Sequence, residues 1–499
     1  MYTKKYPWFV LTLLLVFSLI LGACAQTPQA TEPPAQPTEA VEAPAEPEEP
    51  TEVVEEPTEE VEEPVEEEPV EEEPEETGPV SDIPYFPGGA LEQALKGEFA
   101  GTTVVVDGPF TDADAVKFEE SIKAFKEATG INVNYIGNKE FETTISIRVD
   151  AGDAPDIADF PQPGLLVNFA RDGKIIDPTT FIPEDWLKQQ YNQSWIDMTT
   201  VEGPDGPMVA GVFHRFNGKS LVWYPKAAFD AAGYEIPETW DDLIALSDQI
   251  VADGDTPWCI GIESGAATGW PATDWIEEIL LRTTSLENYD AWTRGELPFS
   301  SPEVKRAAEI LAEIWFNPDY VFGGTSAIVS TNFADSPAPM FEDPPKCWLH
   351  KQGNFVTGFF PQGVEAGVDY DFFYLPPIDE AYGKPFLVAG DIMAMFNDRP
   401  EVRALMEYFT TPQSASGWLE TGGALAAHQT ATPDMYGVDI ERGIADLVLQ
   451  ATSFRFDGSD LMPGQVGAGS FWKGMVDWVS GAADLDTVLQ EIDESWPKE

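Results

Sequence analysis

The sequence is poor in the groups that most catalytic chemistry needs. Its 499 residues include only three His and three Cys. None of His214, His350 and His428 stands in the His-Glu-x-x-His spacing that sets two imidazoles and a general base on one helical face. No Gly-x-Ser-x-Gly elbow is present to expose a serine nucleophile. Gly218-Lys219-Ser220 ends like a phosphate-binding loop, but Phe213 stands where the first glycine of that loop belongs. No catalytic residue, metal site or cofactor is predicted.

Positive charge is scarce too, with 27 Lys and Arg against 88 Asp and Glu and a net charge of −61. Such a chain repels phosphate backbones, which excludes nucleic acid as a partner. Long apolar runs are also missing, since nothing reaches the roughly 18 to 20 residues that a spanning helix needs. The longest, 8–21, follows Lys4 and Lys5 and precedes Gly22 and Ala23, the order of a secretory signal.

Leu21-Gly22-Ala23-Cys24 resembles the lipobox of bacterial lipoproteins. That resemblance implies removal of a signal peptide, 1–23, and acylation of Cys24. Several acyl chains on one residue give stable anchoring, so the expected location is the outer face of the cytoplasmic membrane. Residues 24–80 follow as a Pro- and Glu-rich tract, with about twenty Glu and no Lys or Arg between 27 and 80. A segment of this kind cannot bury a core and repels itself into an extended stalk.

About 420 residues remain, enough for two domains with their own cores. Cys259 and Cys347 are the other two cysteines, an even pair in an exported chain, for which a disulfide is favoured over two buried thiols. Residues 102–107 read as a buried strand. The helix expected at 114–129 sets Ala115, Phe118, Ile122 and Phe125 on one face, and Gly130 stops it. Alternation over 131–136 then predicts a second strand. Strand, helix and strand over about 35 residues make a βαβ unit, hence an α/β fold with a parallel sheet. Thr239 and Asp242 have capping-box spacing ahead of Leu243, Leu246 and Ile250, and further amphipathic helices are expected at 302–316, 401–409 and 471–479.

Aromatic residues make up 12% of the chain, including 15 Trp. Indole and phenol rings stack on the C–H faces of a pyranose while neighbouring polar side chains bond its hydroxyls, so sugar is a natural ligand class. Aromatic, glycine and carboxylate residues cluster at Phe160-Pro161-Gln162-Pro163-Gly164, at Leu221-Val222-Trp223-Tyr224, from Glu263 to Trp275, and from Arg455 to Asp460. With Asp and Glu so abundant, a carboxylate pair suited to glycoside hydrolysis stays open on residues alone. So does a binding protein for a cationic or peptide ligand, because an acidic cleft suits cations.

At these residues the chain resembles the extracellular solute-binding proteins of sugar ABC importers, in particular their alpha-glucoside-binding branch. Ala151-Gly-Asp-Ala-Pro-Asp-Ile-Ala158, Ser220-Leu-Val-Trp-Tyr224, Thr239-Trp-Asp-Asp-Leu243 and Ala389-Gly-Asp391 look like landmarks of the whole family. Glu263-Ser-Gly265 and Thr268-Gly-Trp-Pro271 are similar to the narrower branch. The resemblance implies a type II periplasmic-binding-protein fold, with two α/β lobes that close on sugar about a hinge crossed three times. Lobe 1 is expected at 81–215 plus 390–440 and lobe 2 at 216–389 plus 441–499, with crossings near 214–219, 388–391 and 450–456. Both Cys259 and Cys347 then fall in lobe 2.

Carried over residue by residue, the resemblance implies that Asp107, Phe160 and Gln162 line the first wall. Trp223, Tyr224, Glu263, Trp270, Asp274 and Trp275 line the second. Gly390 and Asp391 stand at a crossing where backbone approaches ligand. Arg455 either forks onto sugar hydroxyls or anchors a carboxylate. The implied protein is a monomer that passes a small carbohydrate to ABC permease subunits and catalyses nothing.

Overall fold

The computed structural model describes residues 82–498. The signal segment, Cys24 and the acidic tract to residue 80 lie outside the described residues.

The βαβ pattern forms. β1 (Thr103–Gly108) leads to a helix, Asp112–Thr129, which ends at Gly130 with φ 68°, and the chain returns as β2 (Asn132–Gly137). β1 and β2 pair in parallel from Thr103 against Asn132 to Gly108 against Gly137. Phe118, Ile122 and Phe125 of the helix are fully buried, as their spacing requires. β3 (Ile157–Phe160) adds in parallel on the other side of β1.

After a short hairpin of β4 (Thr200–Gly203) and β5 (Gly206–Val209), the chain enters β6 (Val212–Gly218) and then β7 (Leu221–Tyr224). β7 is the centre of a small antiparallel sheet, flanked by β8 (His350–Lys351) and β9 (Asp371–Tyr374). β10 (Pro385–Met395) is buried along its whole length. Its second half runs antiparallel to β3, β6 pairs antiparallel along most of its length, and its first half pairs in parallel with β12 (Ser453–Phe456). β11 (Leu425–Ala426) closes the far edge of the large sheet against β6. β6, β10 and β12 therefore run side by side.

Two clusters of buried apolar side chains form. One surrounds the large sheet, with Val104, Val106, Ile157, Met393, Met395, Tyr408 and Phe409. The other is rich in indoles and holds Trp258, Trp275, Trp292 and Trp315 with Leu243, Ile250 and Leu311. Trp258 and Trp315 each meet the Trp275 ring, at centroid separations of 5.3 and 6.0 Å.

The predicted helices appear at Trp240–Ala252, Pro302–Trp315, Pro400–Phe409 and Trp472–Ser480. The first carries the full capping box, with Thr239 and Asp242 satisfying each other's backbone amides. Cys259 and Cys347 are joined in a disulfide. No helix among the described residues is long and apolar enough to cross a membrane.

Candidate functional site

A cleft of about 500 Å³ opens at the carboxyl ends of β1, β2 and β3, where open α/β sheets characteristically take ligands. One wall comes from the segments leaving those strands, with Phe110, Asp112 and Asp114, then Lys139, Glu140 and Glu142, then Gln162. The opposite wall carries Glu263, Ser264, Gly265, Trp270, Asn332, Phe333, Phe355, Asp457, Asp460 and Trp472. The floor is laid by β6, β10 and the residue after β6, through Arg215, Asn217, Lys219, Gly390 and Asp391.

The floor is held by two buried cations. Arg215 pairs with Asp391 at 3.2 Å and donates to Asn217 Oδ1 at 3.0 Å. Its guanidinium also lies 4.5 Å from the ring centroids of Phe110 and Trp418, and Trp418 Nε1 donates to Asp114 Oδ1 at 2.9 Å. Beneath this network Asp159 is fully buried, and burial together with the nearby Asp391 charge pushes its carboxyl well up, towards the neutral form.

Lys219 is the second cation. Its ammonium meets Asp274 Oδ1 at 2.8 Å and Asp457 Oδ2 at 2.5 Å, and stands 5.2 Å from the Trp270 ring centroid. Burial pushes Asp457 up, but the charge and hydrogen bond of Lys219 outweigh it and hold the carboxyl at about 2. Glu277 accepts the amides of Gly458 and Ser459, both at 2.9 Å. Asp274, Glu277 and Asp457 stand close enough together to chelate a metal ion. The Lys219 ammonium, bonded to two of them, supplies the compensating charge there.

Two carboxyls on opposite walls are tuned oppositely. Burial raises Glu142, which accepts Gln162 Nε2 at 3.4 Å, to about 7. Glu263 is lowered, first by the amide of Gly265 at 2.9 Å and next by Asn332 Nδ2 at 2.6 Å. On the Glu263 wall Trp270 presents a half-buried indole, steadied by Phe333 and Phe355 at centroid separations of 5.2 and 5.7 Å. The arrangement offers flat apolar faces and a surround of hydrogen-bonding groups, of which Asp112, Asp391 and Asp457 are paired with cations.

Five of the sequence-predicted residues line this cleft: Gln162, Glu263, Trp270, Gly390 and Asp391. Gly390 owes its lack of a side chain to β6, because a Cβ there would lie 2.7 Å from the Arg215 carbonyl oxygen. Asp274 stands one layer behind, reaching the cleft through Lys219. Asp107 is buried in an ion pair with Arg148. Phe160 is sealed among Phe141, Phe169 and Phe396.

Trp223 packs on Phe360, Tyr370 and Phe372 and donates to the Gln352 carbonyl at 2.8 Å. Tyr224 meets Phe229 and Phe373, and Trp275 belongs to the indole core. Phe160, Trp223, Tyr224 and Trp275 are all buried, so these rings fill cores rather than the cleft. Arg455 takes the second of its two expected roles, forking onto Asp290 at 2.6 and 3.0 Å away from the cleft. Sequence reading missed Arg215, Lys219, Phe333 and Phe355. A Lys buried just after a strand carries no local signal, while the aromatics at 355 and 359 are at least visible as a spaced pair.

Residues 111–416 match the profile of a family described as bacterial extracellular solute-binding proteins. The chain is 45% identical over 404 residues to the osmoprotective compounds-binding protein GgtB of Synechocystis, covering 81% of this chain and 94% of that one. It is 41% identical over 431 residues to the alpha-glucosides-binding periplasmic protein AglE of Rhizobium meliloti, covering 83% and 93%. The fold is that of the type II periplasmic binding proteins. The solved structure of the bacterial solute receptor AcbH superposes with a TM-score of 0.68 at 18% identity, covering 79% of this chain and 98% of that one.

Proposed function

This chain belongs to the family of bacterial extracellular solute-binding proteins, and we propose that it captures an alpha-glucoside outside the cytoplasmic membrane for delivery to an ABC importer. The observation that carries this reading is the half-buried Trp270 indole, braced by Phe333 and Phe355 among the hydrogen-bonding side chains of the cleft. Asp391 is paired with Arg215, Asp457 with Lys219, and Asp112 with Lys139 at 3.2 Å. Asp114, Glu140, Glu142, Glu263 and Asp460 line the same cleft and form no ion pair among the described residues, which is why a polyamine belongs in the test below. A neutral polyhydroxyl ligand can donate its hydroxyls to these carboxyls, and Trp270 offers it a stacking face. The volume of about 500 Å³ is ordinary for a small-ligand site.

The likeness to AglE supports an alpha-glucoside, and the somewhat higher identity to GgtB supports a compact osmoprotective solute as a second reading. Both relatives bear the names of binding proteins, in keeping with a role that leaves the solute unaltered. In this reading Gln162, Glu263, Trp270, Gly390 and Asp391 contact solute. The lobes are 81–215 plus 390–440 and 216–389 plus 441–499, with β6, β10 and the β12 segment as the crossings between them. Solute that touches both lobes binds the closed form better and shifts the equilibrium by that difference. Acylated Cys24 and the acidic stalk then hold a monomeric receptor beside its permease.

Thermal unfolding with maltose, trehalose, sucrose, a small osmoprotective glucoside and spermidine tests the reading. A ligand present at about 100 times its dissociation constant adds about 2.7 kcal/mol. Stabilisation by a glucoside, recovered intact, is expected. Stabilisation by spermidine alone, or hydrolysis of the glucoside, would overturn it.

A further inference from the structure

Gly265 meets the opposite wall of the cleft closely. A Cβ built on it would lie 2.8 Å from Glu140 Oε1 and 3.3 Å from the Lys139 carbonyl oxygen. The glycine has φ +58°, a left-handed conformation that asparagine also tolerates. Backbone shape alone therefore does not demand glycine here. The neighbouring wall leaves little room instead: the Glu140 carboxylate is the end of an exposed side chain and can swing aside, but the Lys139 carbonyl is backbone, so a side chain larger than a methyl has to displace both.

Both sides of this contact are braced. Asn138 Oδ1 accepts the Glu140 amide at 2.9 Å, and Asn138 Nδ2 donates to Thr144 Oγ1 at 2.9 Å. Opposite, the Gly265 amide donates to Glu263 Oε1, while Thr268 Oγ1 donates to the Gly265 carbonyl at 2.7 Å and accepts the Ser264 amide at 2.9 Å. Lys139, Glu140 and Gly265 are exposed and all line the cleft, which puts their meeting at its mouth. Charge agrees with contact. The Lys139 ammonium is among the groups that favour an ionised Glu263, after the Gly265 amide and Asn332.

We propose that Gly265 and the Lys139–Glu140 turn form the closing contact of the cleft mouth, and that this bare contact sets how fast solute leaves. The proposal rests on the reading of the cleft as the solute site. A side chain at 265 holds the walls apart, so the closed form loses population and bound solute escapes sooner. Association, which begins from the open form, changes little.

Gly265→Asn tests this, since asparagine keeps the left-handed backbone yet carries a Cβ. Solute release measured by stopped flow should quicken by about tenfold or more, and Glu140→Ala added to that variant should recover part of the loss, since the Lys139 carbonyl remains. Spin labels on Lys123→Cys and Arg306→Cys, both exposed and each on a helix packed against a different one of the two cores, should show longer distances in ligand-free Gly265→Asn than in the parent. Unchanged release with superimposable distance distributions overturns the proposal, as does a loss that Glu140→Ala leaves untouched. If no glucoside binds the parent protein, the proposed function fails, and the distance measurement alone decides the contact.

Discussion

Lys219 and Asp457 meet at 2.5 Å in the interior, tying the residue after β6 to the turn that follows β12. The same ammonium reaches Asp274 on the helix Trp270–Leu281, so one side chain joins three separated segments beneath the cleft. Removing charges from water is costly, and such a cluster holds only while its partners are complete.

Lys219→Met deletes the cation and leaves Asp457 and Asp274 buried without it. Loss of one partner from a buried pair typically costs about 3 to 5 kcal/mol. Equilibrium urea unfolding should show a loss of that order. A change below about 1 kcal/mol would mean that the carboxyls simply take up protons and that the ammonium is dispensable.

Trp270 and Trp223 should respond in opposite ways. Trp270 is half-buried at the cleft, so Trp270→Ala should weaken solute binding by about 1.5 to 3 kcal/mol while unfolding without ligand shifts little. Trp223 is fully buried among aromatic rings, and Trp223→Ala should cost about 3 to 5 kcal/mol of stability. Calorimetric titration beside thermal unfolding separates the two. Equal affinity losses in both variants, at temperatures where both are folded, would place Trp223 in the site as well.

That contrast shows what a single sequence discloses. Period and capping residues marked the helices, because Phe118, Ile122 and Phe125 must face one way and Thr239 with Asp242 must cap. The site was only half legible. β3 and β7 are buried on both faces, so their aromatic residues lack the alternation that separates core from surface. Phe160, Trp223 and Tyr224 therefore looked as available as Trp270. Arg215 and Lys219 were overlooked for the reverse reason, since a basic residue reads as solvated until the fold surrounds it with Asp391, Asp274 and Asp457.

Stability should fall with rising pH through the group at Glu441. Burial lifts this carboxyl from 4.5 to about 7, although it accepts the Gly423 amide at 2.6 Å and Asn354 Nδ2 at 2.7 Å. Between those two values the folded state holds a proton that the unfolded state has released. Its contribution is therefore complete below about pH 4.5 and lost as pH passes about 7. Urea unfolding at pH 5 and pH 8 should show the parent losing more than Glu441→Gln over that interval, by up to about 3 kcal/mol. His214, His350 and His428 titrate alike in both proteins and cancel from the difference. Equal losses would show that Glu441 is ionised in the fold throughout.

The disulfide between Cys259 and Cys347 spans 88 residues of sequence and joins the segment after the helix Trp240–Ala252 to the one before β8. Closing a loop of that length removes freedom from the unfolded chain worth about 4 to 5 kcal/mol in the chain-entropy account. Both cysteines are buried, and neither lines the cleft. Cys259→Ala with Cys347→Ala should therefore lower the unfolding midpoint while leaving the dissociation constant for solute within about twofold at 20 °C. Weaker binding by tenfold or more in protein that is still folded would mean that the crosslink positions the Glu263 wall, and that its effect is not confined to the unfolded state.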